Sequence, residues 1–374
     1  MRNHPVMDKN IRDDTQISRL LKYNIKEEDI NLFLRAWNQM NNTKECIYVG
    51  YDSTNFNTNA YGIELADYGH PKVDEGLPQY NLAYAVNQKD STPLFYELYD
   101  GSVIDNMELE IMLEEAKEFG HERLGVLMDR GYISEKNIKA LRSKGYEYIL
   151  MMKQNQKICQ EIIEEYGAVV QSLEGYYIGE HGVYGTTVKK ELYGQEANIH
   201  VYYDDIRASE EKVALMSRYE TWEKEIEKKV AKKLATEGEM KKYRKVFKLK
   251  YDQNGYLVAY QRNSRYIKEE IRNLGFFFII TSEEMSASKA LDIYRGRDNI
   301  EKMFRSLKSG IDFNKARVHT TESLKSKVFV TFIAMIIRNE LFQKAEVLRK
   351  KNRKAYTVPV SYTHLRAHET GAYL

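Results

Sequence analysis

The chain has 374 residues, 43 % hydrophobic and 30 % charged, enough for a sizeable core and long for one ordinary domain. Its 57 Lys and Arg nearly balance 55 Asp and Glu, so it is no histone-like polycation, and nucleic-acid binding would rest on local patches. Two distant cysteines, Cys46 and Cys159, exclude a disulfide scaffold and a Cys-based zinc site, and fit a reducing compartment. The N-terminus has no apolar signal core, and the longest apolar run, Val328 to Ile337, is about half a bilayer span. The expectation is a soluble, cytoplasmic, multidomain protein with no membrane partner.

Residues 1–45 are polar, with apolar positions that suggest one or two short helices and a partial N-terminal helical region. Strand signals begin at Ile47 and run through Tyr51, closing on Asp52. Residues 61–68 suit a hairpin neighbour, and 80–86 and 94–98 read as two more strands. Asn106 to Phe119 is helix-like. Leu124 to Met128 is a short apolar strand ending on Asp129; Ser134 suits the N-cap of a helix through Leu141, and 146–152 is another buried strand. The order β-β-β-α-β-α-β predicts a mixed sheet with helices on its faces over 46–153. From 154 to 272 the texture changes to Gly- and Tyr-rich strands, a charged helix from Glu210 to about Glu237, and the basic segment KKYRKVFKLKY. This block reads as an insertion domain. Core texture returns with the strand 275–281. A long helix is expected from Ser286 to Ser309 and another over 323–344, so 273–345 completes the first domain. Residues 346–374 form a basic tail whose closing string, from Val358, reads as translated sequencing-adaptor sequence. The natural C-terminus is then expected to be missing.

Three acids carry the chemical interest. An Asp after a strand is often only a turn residue or helix cap, but strand ends are also where open α/β sheets present functional groups. Glu301 adds weight to Asp52 and Asp129. On one continuous helix at about 100° per residue, Tyr294, Arg297, Glu301, Arg305 and Lys308 share an arc of about 80°. Ile293, Ile300, Met303, Phe304 and Leu307 fall on the opposite side. Three converging carboxylates repel one another, and a divalent cation removes that penalty. Oxygen-only ligands suit Mg²⁺ or Mn²⁺ rather than zinc, and two such ions can clamp both oxygens in phosphoryl transfer. Arg297, Arg305 and Lys308 are candidates to hold flanking phosphates.

The spacing Tyr294-x2-Arg297-x3-Glu301-x6-Lys308 resembles the signature of DDE transposases from bacterial insertion sequences, in the group with a β-rich insertion between the second Asp and the Glu. GYDSTN around Asp52, MDRGY around Asp129, and Gly101 with Asp105 match further elements of that family, over about 47–340. The resemblance implies a ribonuclease-H-like α/β core interrupted by a β-rich and helical insertion, and cut-and-paste movement of DNA. It implies that Asp52, Asp129 and Glu301 bind two Mg²⁺ ions. Tyr294, Arg297 and Lys308 become contacts to transposon-end DNA, and the chain is expected to work as a homodimer on double-stranded DNA, end and target. The N-terminal region is shorter than the end-binding region usual in such relatives. A nuclease of the same fold and a catalytically silent DNA-binding remnant stay open as alternatives.

The segment Lys241 to Lys250 sets Lys241, Lys242, Arg244 and Lys245 around Tyr243 and Phe247. Cations with interleaved aromatics suit a DNA backbone groove, and a solvated edge is the bland alternative. Residues 223–233 read as an exposed helix held by i,i+4 pairs. His319 reads as structural or surface, and His364 with His368 lacks a third metal ligand. Most of the 29 tyrosines are expected to be packing residues.

Overall fold

The structure is a computed structural model, and it describes residues 13–42, 46–69, 76–103, 105–121, 123–128, 130–131, 133–172, 176–232, 238–305, 307–308 and 317–351. The chain forms two compact units, one of residues 1–150 with 291–374 and one of residues 151–290.

The first unit opens with α1 (Asp14–Arg19), a π-helical turn (Leu20–Asn24) and α2 (Glu27–Asn41). Asp13 caps α1 by accepting from Gln16 N. Asn38 on α2 is fully buried and donates to Leu94 O at 2.9 Å, while its Oδ1 lies 2.7 Å from His121 Nε2. Next come β1 (Ile47–Asn57), β2 (Gln79–Asn87), β3 (Pro93–Asp100), α3 (Asp105–Glu118), β4 (Leu124–Met128), α4 (Glu135–Ser143) and β5 (Glu147–Met151). Their order in the sheet is β3-β2-β1-β4-β5. β2 is antiparallel to β1 and β3, whereas β1, β4 and β5 run parallel. β2 and β4 are apolar-rich and almost wholly buried because both faces of this sheet are covered. Ser134 caps α4 as expected, accepting from Asn137 N. This mixed sheet with helices on its faces is the arrangement expected from the element order of residues 46–153.

Gly125 has a packing reason. It lies opposite Tyr48 in the β1–β4 register, and a Cβ there would sit 2.5 Å from the Tyr48 ring. Tyr48 therefore crosses β4 and donates to Glu147 Oε2 on β5 at 2.6 Å.

The unit closes with the last part of α8 (Ala287–Arg295), then α9 (Asp298–Arg305) and α10 (Thr321–Lys351). The single long helix expected from Ser286 to Ser309 is broken. Gly296 and Arg297 form a turn between α8 and α9, with Arg297 N donating to Tyr294 O at 3.0 Å; glycine is a poor helix residue and marks the break. The strand expected over 61–68 is also absent. That stretch holds two isolated bridges, Gly62 to Thr320 and Asp67 to Gln79, and fixes the start of α10 through Thr321 N donating to Gly62 O.

The second unit contains α5 (Lys157–Ser172), β6 (Tyr177–Ile178), β7 (Val183–Leu192), β8 (Gln195–Tyr203), α6 (Asp205–Lys232), β9 (Phe247–Tyr251), β10 (Leu257–Arg262), α7 (Ser264–Arg272) and β11 (Phe276–Thr281). β11 pairs antiparallel with β8, and β8 with β7. Gly185 repeats the Gly125 device, with a Cβ 2.6 Å from the Tyr202 ring that lies opposite it. β9 and β10 form a separate hairpin. Its inner side chains, Phe247 and Leu257, join Leu215, Tyr219 and Ile226 of α6 in a second core. Several described charges of α6 find partners on other elements, while Lys229 acts on Glu225 along the helix. Glu223 meets Arg262, and Glu227 accepts from Tyr260 OH at 2.8 Å.

Candidate active site

Asp52 does not close its strand. β1 continues five residues past it, through Ser53, Thr54 and Asn55, which are buried and paired with Ala83, Leu82 and Asn81. A turn-like polar run is thereby held extended by its ladder with β2. Asp52 lies opposite Tyr84, and Tyr84 opposite Tyr96, so the three form one row across β1, β2 and β3 on a single sheet face. Its half-buried carboxylate accepts from Ser53 N at 2.9 Å.

Period-two alternation puts Thr54 and Phe56 on the face of Asp52. Two elements cover that face. Phe304 of α9 meets the Tyr84 ring edge-on at 5.8 Å, and Phe332 of α10 lies 6.0 Å from Tyr84 and 5.2 Å from Tyr96. α9 also packs directly against β1. Burial pushes the phenols of Tyr84 and Tyr96 well above their ordinary range, so the row beside Asp52 stays uncharged. Lys308 closes the arrangement, donating from Nζ to Thr54 Oγ1 at 2.8 Å and lying 5.4 Å from the Phe56 ring. Glu301 is one helical turn before Phe304 and Arg305 one turn after Glu301. Both are exposed at the surface of the helix that lies on β1.

The helical break re-sorts the polar arc. Tyr294 was expected beside the cations; instead its side chain is buried, because α8 and α9 do not share one helical phase. Arg297 lies between the two helices. Its Nη2 donates to Glu301 Oε1 at 2.6 Å, and its guanidinium carbon lies 6.0 Å from the centre of the Tyr294 ring. Asp129, one peptide bond beyond Met128, lies outside the described residues, as do Tyr132, the side chain of Asp105, and His364 and His368. Among the described residues no three His, Cys, Asp or Glu side chains cluster as a metal site. Asp52 and Glu301 supply oxygen donors only, which suits a hard divalent ion.

Lys241, Lys242, Arg244 and Lys245 belong to the second unit and are exposed. Tyr243 and Phe247 between them are core residues, 1 % and 0 % exposed, so neither ring is available to stack on a base. Tyr243 also donates to Glu225, which pairs with Lys242 at 3.2 Å. His319 is exposed. Thr54, Phe56, Tyr84 and Phe304 were missed from sequence as parts of the site. For Thr54, Phe56 and Phe304 the only advance sign was a spacing of two to four residues from Asp52 or Glu301, and for Tyr84, on β2, there was none.

A family model for the transposase DDE domain matches residues 49–337. No curated protein sequence matches the chain. Among solved structures, the piggyBac transposase synaptic complex with hairpin DNA is similar at 8 % identity and a TM-score of 0.41, covering 91 % of this chain and 55 % of that one. The Mos1 transposase paired-end complex with left transposon end is similar at 13 % identity and a TM-score of 0.21, covering 40 % of this chain and 46 % of that one. The chain thus spans about half the length of these two proteins. A matched region running from β1 to α10, with the strand of Asp52 and the helix of Glu301 both inside it, places the chain in the transposase DDE domain family.

Proposed function

We propose that this chain is a DNA transposase that cuts the ends of its own insertion sequence and joins them to target DNA. The observation that carries the reading is the family match from within β1 through α9, together with the seating of α9 on the face of β1 that bears Asp52.

Asp52, Asp129 and Glu301 would hold the metal, Mg²⁺ or Mn²⁺ as two ions. Bound there, it would lower the cost of forming and stabilising charge on the attacking and leaving oxygens of a phosphodiester. The protein's own part is placement. β1 fixes Asp52 within a continuous ladder, and Phe304 on Tyr84 fixes the height of α9 above it. Lys308 sets a point charge beside Thr54, where a phosphate of the DNA backbone would lie, and Arg305 offers a second. The covered sheet face limits water on one side of the site. Water would attack at the element's end, and the freed 3′-hydroxyl would attack target DNA, both as in-line displacements. Lys241, Arg244 and Lys245 would add sequence-independent phosphate contacts from the second unit. The working form would be a homodimer on double-stranded DNA, in the bacterial cytoplasm at the nucleoid.

The test is a strand-transfer assay. Purified protein, Mg²⁺, a duplex carrying the DNA that flanks the gene, and a supercoiled target plasmid are incubated together. Joint molecules with the duplex 3′ end covalently attached to the plasmid are expected. Cleavage without any joining would point instead to a nuclease.

A further inference from the structure

The pairing of Arg297 with Glu301 is not explained by helix stability. Arg297 precedes α9, where the helix dipole disfavours a cation, and Arg before Glu is the weaker order for an i,i+4 pair. Yet Arg297 is the better buried partner, its side chain 16 % exposed against 50 % for Glu301. Tyr294, itself buried, lies beside the guanidinium. In this arrangement the guanidinium rests against the carboxylate, and its hydrogen bond occupies Oε1 of Glu301.

We infer that Arg297 is a positioning residue that withholds Glu301 from the metal until a DNA phosphate draws the guanidinium away. This rests on the proposed metal-dependent reading of the site. A divalent ion bound through both oxygens of Glu301 must share or displace the Arg297 hydrogen bond, and one bound through Oε2 alone still brings a second positive charge close to the guanidinium. A phosphate is a competing acceptor for the same guanidinium fork. Removing Arg297 from the carboxylate frees an oxygen and relieves the repulsion, so end binding and metal binding help each other. By linkage the help is reciprocal, and couplings of this kind amount to roughly 5- to 150-fold in affinity. Free protein would then hold metal weakly and gain it on DNA, which restrains cutting away from the ends.

The experiment measures Mn²⁺ affinity of the DNA-free full chain by electron paramagnetic resonance for the parent, Arg297→Gln, Arg297→Lys, Asp52→Asn and Glu301→Gln. Near-ultraviolet circular dichroism checks that each variant is folded. Arg297→Gln is expected to bind Mn²⁺ about tenfold more tightly than the parent. Arg297→Lys, which keeps the charge and loses the fork, should move less in the same direction and stands in if the Gln variant does not fold. If Asp52→Asn and Glu301→Gln weaken binding but neither Arg297 variant strengthens it, the latch is wrong and the metal site stands. If none of the five proteins differs, the metal reading falls and the latch with it. Anisotropy of a labelled blunt-ended duplex tests the DNA half. Mn²⁺ should tighten duplex binding more in the parent than in Arg297→Gln, and equal tightening overturns the exchange.

Discussion

Asp52 lies on one face of β1 and Glu301 on the helix that packs against β1, and each is held by its neighbours. Asp52 is held within a ladder, its carboxylate accepting from Ser53 N. Glu301 is held by the helix that Phe304 anchors and by the guanidinium of Arg297. Asp52→Asn should leave the fold intact and lower the cleavage rate by on the order of a thousandfold, since several kcal/mol of charge stabilisation are lost. A plasmid-cleavage time course with a thermal melt alongside checks both halves. A second residue-scale prediction concerns His200. It is fully buried, with Nδ1 at 2.8 Å from Thr187 Oγ1 and Nε2 at 3.0 Å from Thr281 Oγ1. Burial lowers its pKa to about 4, from an ordinary 6.5. The unfolded chain therefore takes up a proton that the folded chain refuses between those values. Its contribution is complete above pH 6.5 and is lost as the pH falls towards 4, by up to about 3 kcal/mol. Melts at pH 7 and pH 4.5 should show a smaller drop for His200→Gln than for the parent.

At the scale of elements, α9 is a short helix whose seating determines where Glu301 lies. Phe304→Ala removes a buried ring and should cost about 3–5 kcal/mol in denaturant unfolding. Cleavage should fall further than the lost stability explains, because the carboxylate loses its height above β1; unchanged cleavage in the folded fraction would contradict that. The β9–β10 hairpin gives a second test. Lys245 is exposed, whereas Lys242 is engaged by Glu225. Lys245→Ala should reduce the salt slope of DNA binding by about 1, and Lys242→Ala by less. Most strands and helices were legible from apolar runs and caps, as at β4, β11 and the Ser134 cap. Three features were not, for distinct reasons. The polar Ser53-Thr54-Asn55 stays extended because β2 pairs with it, a nonlocal fact. The break at Gly296 shifts Tyr294 into the core, and a wheel drawn through one continuous helix cannot register that shift. Tyr243 and Phe247 looked like stacking rings because the basic string does not reveal that α6 packs beneath them.

Over the whole molecule, the first unit is assembled from two stretches of chain that flank the second. The acids come from both stretches, so the site depends on the return of residues 291–351 to the sheet begun at β1. In sequence the three carboxylates are proposed as a set from their strand and helix contexts, and Asp129 lies outside the described residues. That dependence hid the row Asp52–Tyr84–Tyr96 and its cover of Phe304 and Phe332, which exist only after folding. Domain limits were read at 153/154 and 272/273, whereas the compact units divide at 150/151 and 290/291, because β11 pairs with β8 inside the second unit. The central claim is that a metal-dependent DNA-cutting site is assembled around Asp52 and Glu301. Its most direct test is nicking of a supercoiled plasmid in Mg²⁺ or Mn²⁺ by the full chain and by Glu301→Gln. Nicking by the parent that vanishes in the variant is the predicted result. Equal nicking by both proteins would contradict the account and place the cutting activity elsewhere.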